Sequence, residues 1–120
     1  MRNILALLAA AAAAALSTPA AADSDGRNRN VRVENHSNLS ALIRVTFTNP
    51  HGRTYDAMPG VAIDHGYNRV LSFDDGEGHG HCVYTLRAEF ANGVYATRTN
   101  LNVCQARVWR IYDVDNRVDY

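Results

Sequence analysis

Cys82–Phe90, CVYTLRAEF, decides the fold. Cys82, Tyr84, Leu86, Ala88 and Phe90 fall on one side of an extended chain, while Thr85, Arg87 and Glu89 fall on the other. A period of two with one apolar and one wet side is the mark of a strand in a half-covered sheet. Ala91-Asn92-Gly93 follows directly and supplies a tight reversal, so Val94–Leu101, VYATRTNL, is predicted to return as the partner strand of a hairpin.

Upstream, Val31 and Val33 alternate with Arg32 and Glu34, and in ALIRVTF the residues Ile43, Val45 and Phe47 are expected on one side. Downstream, a strand is expected from about Arg107 to Val114, with Trp109 and Ile111 facing inward. Turn signals at Asn49–Gly52, Met58–Gly60, Asp64–Gly66 and Asp74–Gly80 separate these runs, and 49–64 reads as a longer irregular loop. No stretch after residue 22 carries a convincing helical stripe. The fold class is therefore all-β: a small antiparallel β-sandwich, immunoglobulin-like, over residues 31–120.

The N-terminal end has a different character. Arg2 precedes an apolar run from Ile4 to Leu16, Pro19 breaks it, and Ala20-x-Ala22 presents small residues for cleavage. Residues 1–22 are read as a signal peptide, since the run is shorter than the roughly 20 residues of a spanning helix. Residues 23–30, DSDGRNRN, read as a flexible polar leader. The expectation is a periplasmic or secreted protein with no transmembrane segment once the signal is removed. Of the 12 basic residues all are arginine, and removing Arg2 leaves 11 against 12 acids, a formal charge of −1 beyond residue 22. That balance offers no footprint for nucleic acid.

Cys82 and Cys104 are the two cysteines. In an oxidising compartment an even pair in a small domain is most simply a disulfide, here closing a loop of about 22 residues and contributing about 3 kcal/mol.

The chemistry-bearing stretch is Asp74–Cys82, DDGEGHGHC. It has two readings. One is a solvated hairpin entry, polar because turns are polar. The other is a transition-metal site in which His79 and His81, with Asp74, Asp75 or Glu77, bind zinc or copper. Cupin-type sites also open with His-x-His, but they place a glutamate four or five residues later, where this chain has Thr85 and Leu86. DDGEG could alternatively supply oxygens to weak calcium. Asp113–Asp119, DVDNRVD, fails as an EF-hand because Arg117 stands where an acid belongs. No G-x-S-x-G elbow or spaced carboxylate pair occurs, and His36, His51 and His65 are scattered near turns, so no enzyme is predicted. Arg87, Tyr95 and Arg98 could form a recognition face on an open sheet, although cross-strand pairing explains the same residues.

The segments DDGEGHGHCVYTLRAEFANG and TNLNVCQARVW carry a C-x-Y-x-L-R-A-x-F-x-x-G pattern and a later N-x-C, Asn102-Val103-Cys104, and Val33–Asn35 supplies a V-x-N. Over roughly residues 31–112 the chain resembles a family of small exported proteobacterial proteins of unknown function. That resemblance implies an envelope location and a β-domain with paired cysteines, and it brings no catalytic residues. Two functions are therefore expected: a non-enzymatic protein binding an envelope protein or a glycan, or a periplasmic metal-binding protein using the DDGEGHGH loop.

Overall fold

The structure, a computed structural model, describes residues 25–38 and 40–120. The signal peptide expected at residues 1–22 lies outside them. The described residues form eight strands: β1 (Asn30–Asn35), β2 (Leu42–Thr48), β3 (Thr54–Asp56), β4 (Asn68–Ser72), β5 (Val83–Phe90), β6 (Tyr95–Asn102), β7 (Val108–Ile111) and β8 (Asn116–Asp119). One sheet has the order β4-β1-β7-β8 and the other β3-β2-β5-β6. Every pairing is antiparallel except that of β1 with β7, which run parallel. Two facing sheets with one disulfide make the small β-sandwich that the alternation predicts.

The alternation of β5 translates directly into burial. Tyr84, Leu86, Ala88 and Phe90 are buried with Val45 and Phe47 of β2 and Leu101 of β6, and from the other sheet Val31, Val33, Leu71, Trp109 and Ile111 close the core. Phe47 meets Tyr84 edge-on at 5.3 Å within its own sheet and Phe73, at the end of β4, at 5.3 Å across the core. Trp109, fully buried, still satisfies its indole N–H by donating to Asn116 Oδ1 at 2.9 Å.

Two bulges correct the simple alternation. The register of β2 against β5 slips between Leu42 and Arg44, so Leu42 enters the core and Ile43 is 46% exposed rather than aligned with Val45 and Phe47. A second slip lies opposite Tyr84/Leu86, where Asn100 takes a left-handed backbone at φ 54°. Asparagine tolerates that conformation better than most residues. Other expectations also shift. The loop at 49–64 contains the short strand β3 and a bridge between Ile63 and Leu42, and the strand expected at 107–114 is the shorter β7, followed beyond that range by an unexpected return strand, β8.

The described part of the leader is not loose. Arg29 is only 3% exposed, and the carbonyl of Arg29 accepts from Phe73 N–H at 2.9 Å. At the other end of β1, Asn35 is buried. Its amide donates to the carbonyls of Ile63 (2.9 Å) and Ser40 (3.0 Å), and its Oδ1 accepts from Ser37 N–H (3.0 Å) and Oγ (2.8 Å).

The Cys82–Cys104 bond joins the residue preceding β5 to a turn that follows β6. Asn102 shapes that turn: its side-chain oxygen accepts from Cys104 N–H at 3.0 Å, while Val103 N–H donates to Cys82 C=O at 2.8 Å. Converting both cysteines to serine is expected to remove about 3 kcal/mol from urea unfolding. A loss below about 1 kcal/mol would mean that the backbone ladder alone holds this junction.

On the outer face of the other sheet, Glu34 accepts from His36 (2.7 Å) and Arg32 (2.9 Å) and lies 3.2 Å from Arg110 Nε. The His36 hydrogen bond first, against burial and with Arg32 and Arg110 assisting, holds its carboxyl below the ordinary 4.5. Stability from a lowered carboxyl is complete above that ordinary value and is lost as the pH falls through the folded one. Glu34→Gln is therefore expected to flatten the fall in Tm below about pH 4.5, with little change in the slope at higher pH.

Candidate metal centre

Four chain ends meet at one end of the sandwich: β1 begins there, β4 and β2 end there, and β5 starts there, as the pairs Asn30↔Ser72 and Thr48↔Thr85 fix. Two loops leave these ends. One is the turn Asn49–Arg53 between β2 and β3; the other is Asp74–His81 between β4 and β5.

The first loop is organised by Asn49, 4% exposed. Its Oδ1 accepts from the backbone N–H groups of His51 (2.9 Å) and Arg53 (3.0 Å), and its own backbone N–H donates to Arg53 C=O at 2.9 Å. In the second loop each aspartate accepts from an N–H two residues on, Asp74 from Gly76 and Asp75 from Glu77, both at 3.0 Å. The Asn49 amide then bridges the loops, donating to Asp75 Oδ2 at 3.0 Å and to Glu77 Oε2 at 2.8 Å. Tyr55 of β3 also donates its hydroxyl to Glu77 Oε2.

This bridge brings His51 beside the predicted histidines. The ring centroids are 5.0 Å apart for His51 and His81, 5.5 Å for His51 and His79, and 5.5 Å for His79 and His81. A zinc-bound imidazole has its nitrogen about 2.0–2.1 Å from the ion, so its centroid lies about 3.2 Å away. Two such rings at a tetrahedral angle are then about 5.2 Å apart. The three ring centroids lie near that spacing, although the ligand nitrogens of His51 and His79 are not among the metal-binding atoms that come together.

The acids are arranged around them. Metal-binding atoms of Asp75, Glu77 and His81 lie within 4.8 Å of one another. Asp75 Oδ2 is 2.9 Å from His81 Nδ1. An ionised carboxylate can only accept, so Nδ1 carries the proton and Nε2 of the neutral ring keeps its lone pair for a cation. Burial pushes the Asp75 carboxyl up, but the His81 hydrogen bond, the Glu77 N–H and Asn49 together bring it down to about 2. Glu77 is lowered, chiefly by the Tyr55 hydroxyl, and Tyr55 is raised by Glu77 in return. Burial, followed by the Asp75 charge, pushes the Tyr84 phenol beneath the site to about 12.

Polar contacts from the N-terminal segment hold the His81 side of the loop. Arg29 Nε donates to His81 C=O at 2.7 Å while its two terminal nitrogens grip Asp25 at 3.0 and 2.7 Å. Arg27 donates to Gly80 C=O at 3.1 Å. That Arg29 hydrogen bond, foremost, holds the Asp25 carboxyl well below its usual range.

Of the five ligands considered from the sequence, Asp75, Glu77 and His81 therefore converge, while His79 only brings its ring beside that of His81. Asp74 is outside that group, although it lines a cavity of about 150 Å³ together with Asp25, Arg29, Asp75 and His81. Cys82 is committed to its disulfide. His51 escaped the sequence reading, because nothing local in Asn49–Gly52 signals a contact with residues 79–81. The available signal was topological: antiparallel pairing of β2 with β5 carries the residues after Thr48 to the end where β5 starts. The expected recognition face is also only partly assembled. The Arg87 guanidinium lies 3.7 Å from the Tyr95 ring centre and 3.1 Å from Glu89 Oε2. Arg98, opposite core-facing Leu86, turns away and donates to Asn116 C=O at 3.3 Å.

No protein-family model, curated protein or solved structure matches the chain.

Because Asn49 is buried and serves both loops, Asn49→Ala strands four groups at once. It is expected to lower stability by about 1–3 kcal/mol in urea unfolding. It should also broaden or shift the His51 and His81 imidazole resonances, and unchanged resonances would show that the bridge does not position the rings.

Proposed function

We propose that this is an exported, non-enzymatic metal-binding β-sandwich that takes one zinc or copper ion at His81, Asp75 and Glu77, beside the rings of His79 and His51. The observation that carries the reading is that metal-binding atoms of Asp75, Glu77 and His81 lie within 4.8 Å of one another, with two further imidazoles packed beside them. Imidazole suits both ions, and Asp75 supplies the carboxylate partner that metal-bound histidine characteristically has. Glu77 adds a negative charge at the wall of the site. Export to a periplasm or the medium is supported by the N-terminal apolar run ending in Ala20-x-Ala22 and by the disulfide.

Recognition of an envelope protein or glycan through the outer sheet has less support. Arg87 is occupied by Tyr95 and Glu89, and Arg98 reaches the opposite sheet.

Titration of the exported protein with zinc and with copper tests the reading. One equivalent should bind, with His81→Ala and the pair His79→Ala/His81→Ala each weakening it at least about tenfold. Free ion at about a hundred times Kd should stabilise the fold by about 2.7 kcal/mol, and the gain should disappear on acidification because the ligating imidazole must be neutral. Equal binding by wild type and the histidine variants would overturn the proposal.

A further inference from the structure

We infer that the Cys82–Cys104 bond is a thiol-exchange site that opens in one direction: an incoming dithiol attacks Cys104 Sγ, and Cys82 leaves with the negative charge beside the Arg27 guanidinium. The contact that carries this comes from Arg27 Nη1, which donates to Cys82 Sγ at 3.1 Å and to Gly80 C=O at 3.1 Å. Divalent sulfur is a weak acceptor, so the donor does little for the resting bond. Its effect grows as charge develops on Cys82 Sγ, which happens only while the bond is breaking.

The two sulfurs stand in unequal surroundings. Arg27 is held in place at both ends, by Gly80 C=O and by its own backbone N–H, which donates to Asp25 Oδ1 at 3.0 Å. Asp25 does not cancel its charge: Arg29 grips that carboxylate at 3.0 and 2.7 Å, while Arg27 Nε stands 4.0 Å away. One carboxylate thus faces two guanidiniums, and these three groups carry a net positive charge beside Cys82. Cys104 lies half-buried in the turn after β6. Its N–H donates to Asn102 Oδ1 at 3.0 Å, and among the described residues no side chain donates to its sulfur. The sulfur better stabilised as a thiolate leaves faster, so attack falls on Cys104.

One thiolate of the dithiol bonds to Cys104 Sγ while the Cys104–Cys82 bond breaks and its electron pair goes to Cys82 Sγ. The second thiolate then attacks the first, closing the reagent's own disulfide and releasing Cys104 as a thiolate. The two protons given up by the dithiol end on the two cysteines; the protein gains two electrons and the dithiol loses two. The consequence falls on the neighbouring loop. Cys82 directly follows His81, so opening the bond removes the covalent anchor of residues 74–81 and leaves the hydrogen bond from Val103 N–H to Cys82 C=O, at 2.8 Å, to hold the junction.

The probe is 2-mercaptoethanol, a monothiol that stops at the mixed disulfide and carries no charge besides the attacking thiolate. The folded, exported protein is exposed to it briefly, quenched with acid and alkylated, and its peptides are weighed. The adduct should stand on Cys104 at least about five times as often as on Cys82, and Arg27→Gln should react at least about threefold more slowly with that preference lost. Arg27→Lys, which keeps the charge, should keep the preference. Mere loosening of the fold by the substitution would move the rate the other way, because it uncovers the bond. An adduct shared equally, or found mainly on Cys82 because Arg27 attracts the incoming thiolate, would overturn the inference. So would an unchanged rate and preference in Arg27→Gln, or reduction of every variant only as fast as the whole domain unfolds.

Discussion

Asp75 and Glu77 of one loop reach the same small volume, where their charges repel, and Asn49 of the other loop donates to both. The same carboxamide accepts from His51 and Arg53 with its oxygen. One buried side chain therefore sets the position of four groups. A neutral amide suits this place because it is donor and acceptor at once; aspartate would add a third negative charge, and an apolar residue would leave buried acceptors without partners.

That bridge works only because its two anchor points are themselves held. Behind the second loop, Cys82 is bonded to Cys104, so the residue after His81 is fixed covalently to the end of β6. In front of it, Arg29 holds the His81 carbonyl and is neutralised by Asp25. Burying a guanidinium is tolerable when the carboxylate is bidentate and the remaining donor has a carbonyl, and both conditions are met here. Residues 25–29 are thus part of the machinery that holds His81.

The hairpin of β5 and β6 and the core positions of Tyr84 and Trp109 were legible because burial follows strand phase wherever a sheet is regular. Ile43 broke the rule because a bulge at Leu42/Arg44 changes the phase by one residue, and no residue type marks a bulge reliably. The parallel pairing of β1 with β7 and the meeting of His51 with His79 and His81 are long-range facts; a turn composed like Asn49–Gly52 looks the same wherever its partner loop lies. Arg29 falls in the stretch 23–30 that reads as a flexible polar leader, and arginine is seldom buried without partners. Only the joint presence of Asp25 and the His81 carbonyl reverses that expectation.

The glycines of DDGEGHGH bear on why such a loop can serve as a site at all. Gly78 and Gly80 have φ of 78° and 72°, a left-handed backbone on either side of His79 that a residue with Cβ adopts only with strain. Glycine frees the unfolded chain and so makes ordering this loop expensive, by roughly 0.5–1 kcal/mol for each glycine relative to alanine. Hydrogen bonds from Asn49, Tyr55, Arg27 and Arg29 offset that cost before any ion arrives. On the proposed metal-binding reading, an ion would meet Asp75, Glu77 and His81 already drawn together, so little of its binding free energy would be spent on ordering the loop. The same contacts explain why the site lies at the sandwich end with the disulfide: elsewhere, a glycine-rich acidic loop would have neither a covalent anchor nor a buried amide to oppose its own repulsion.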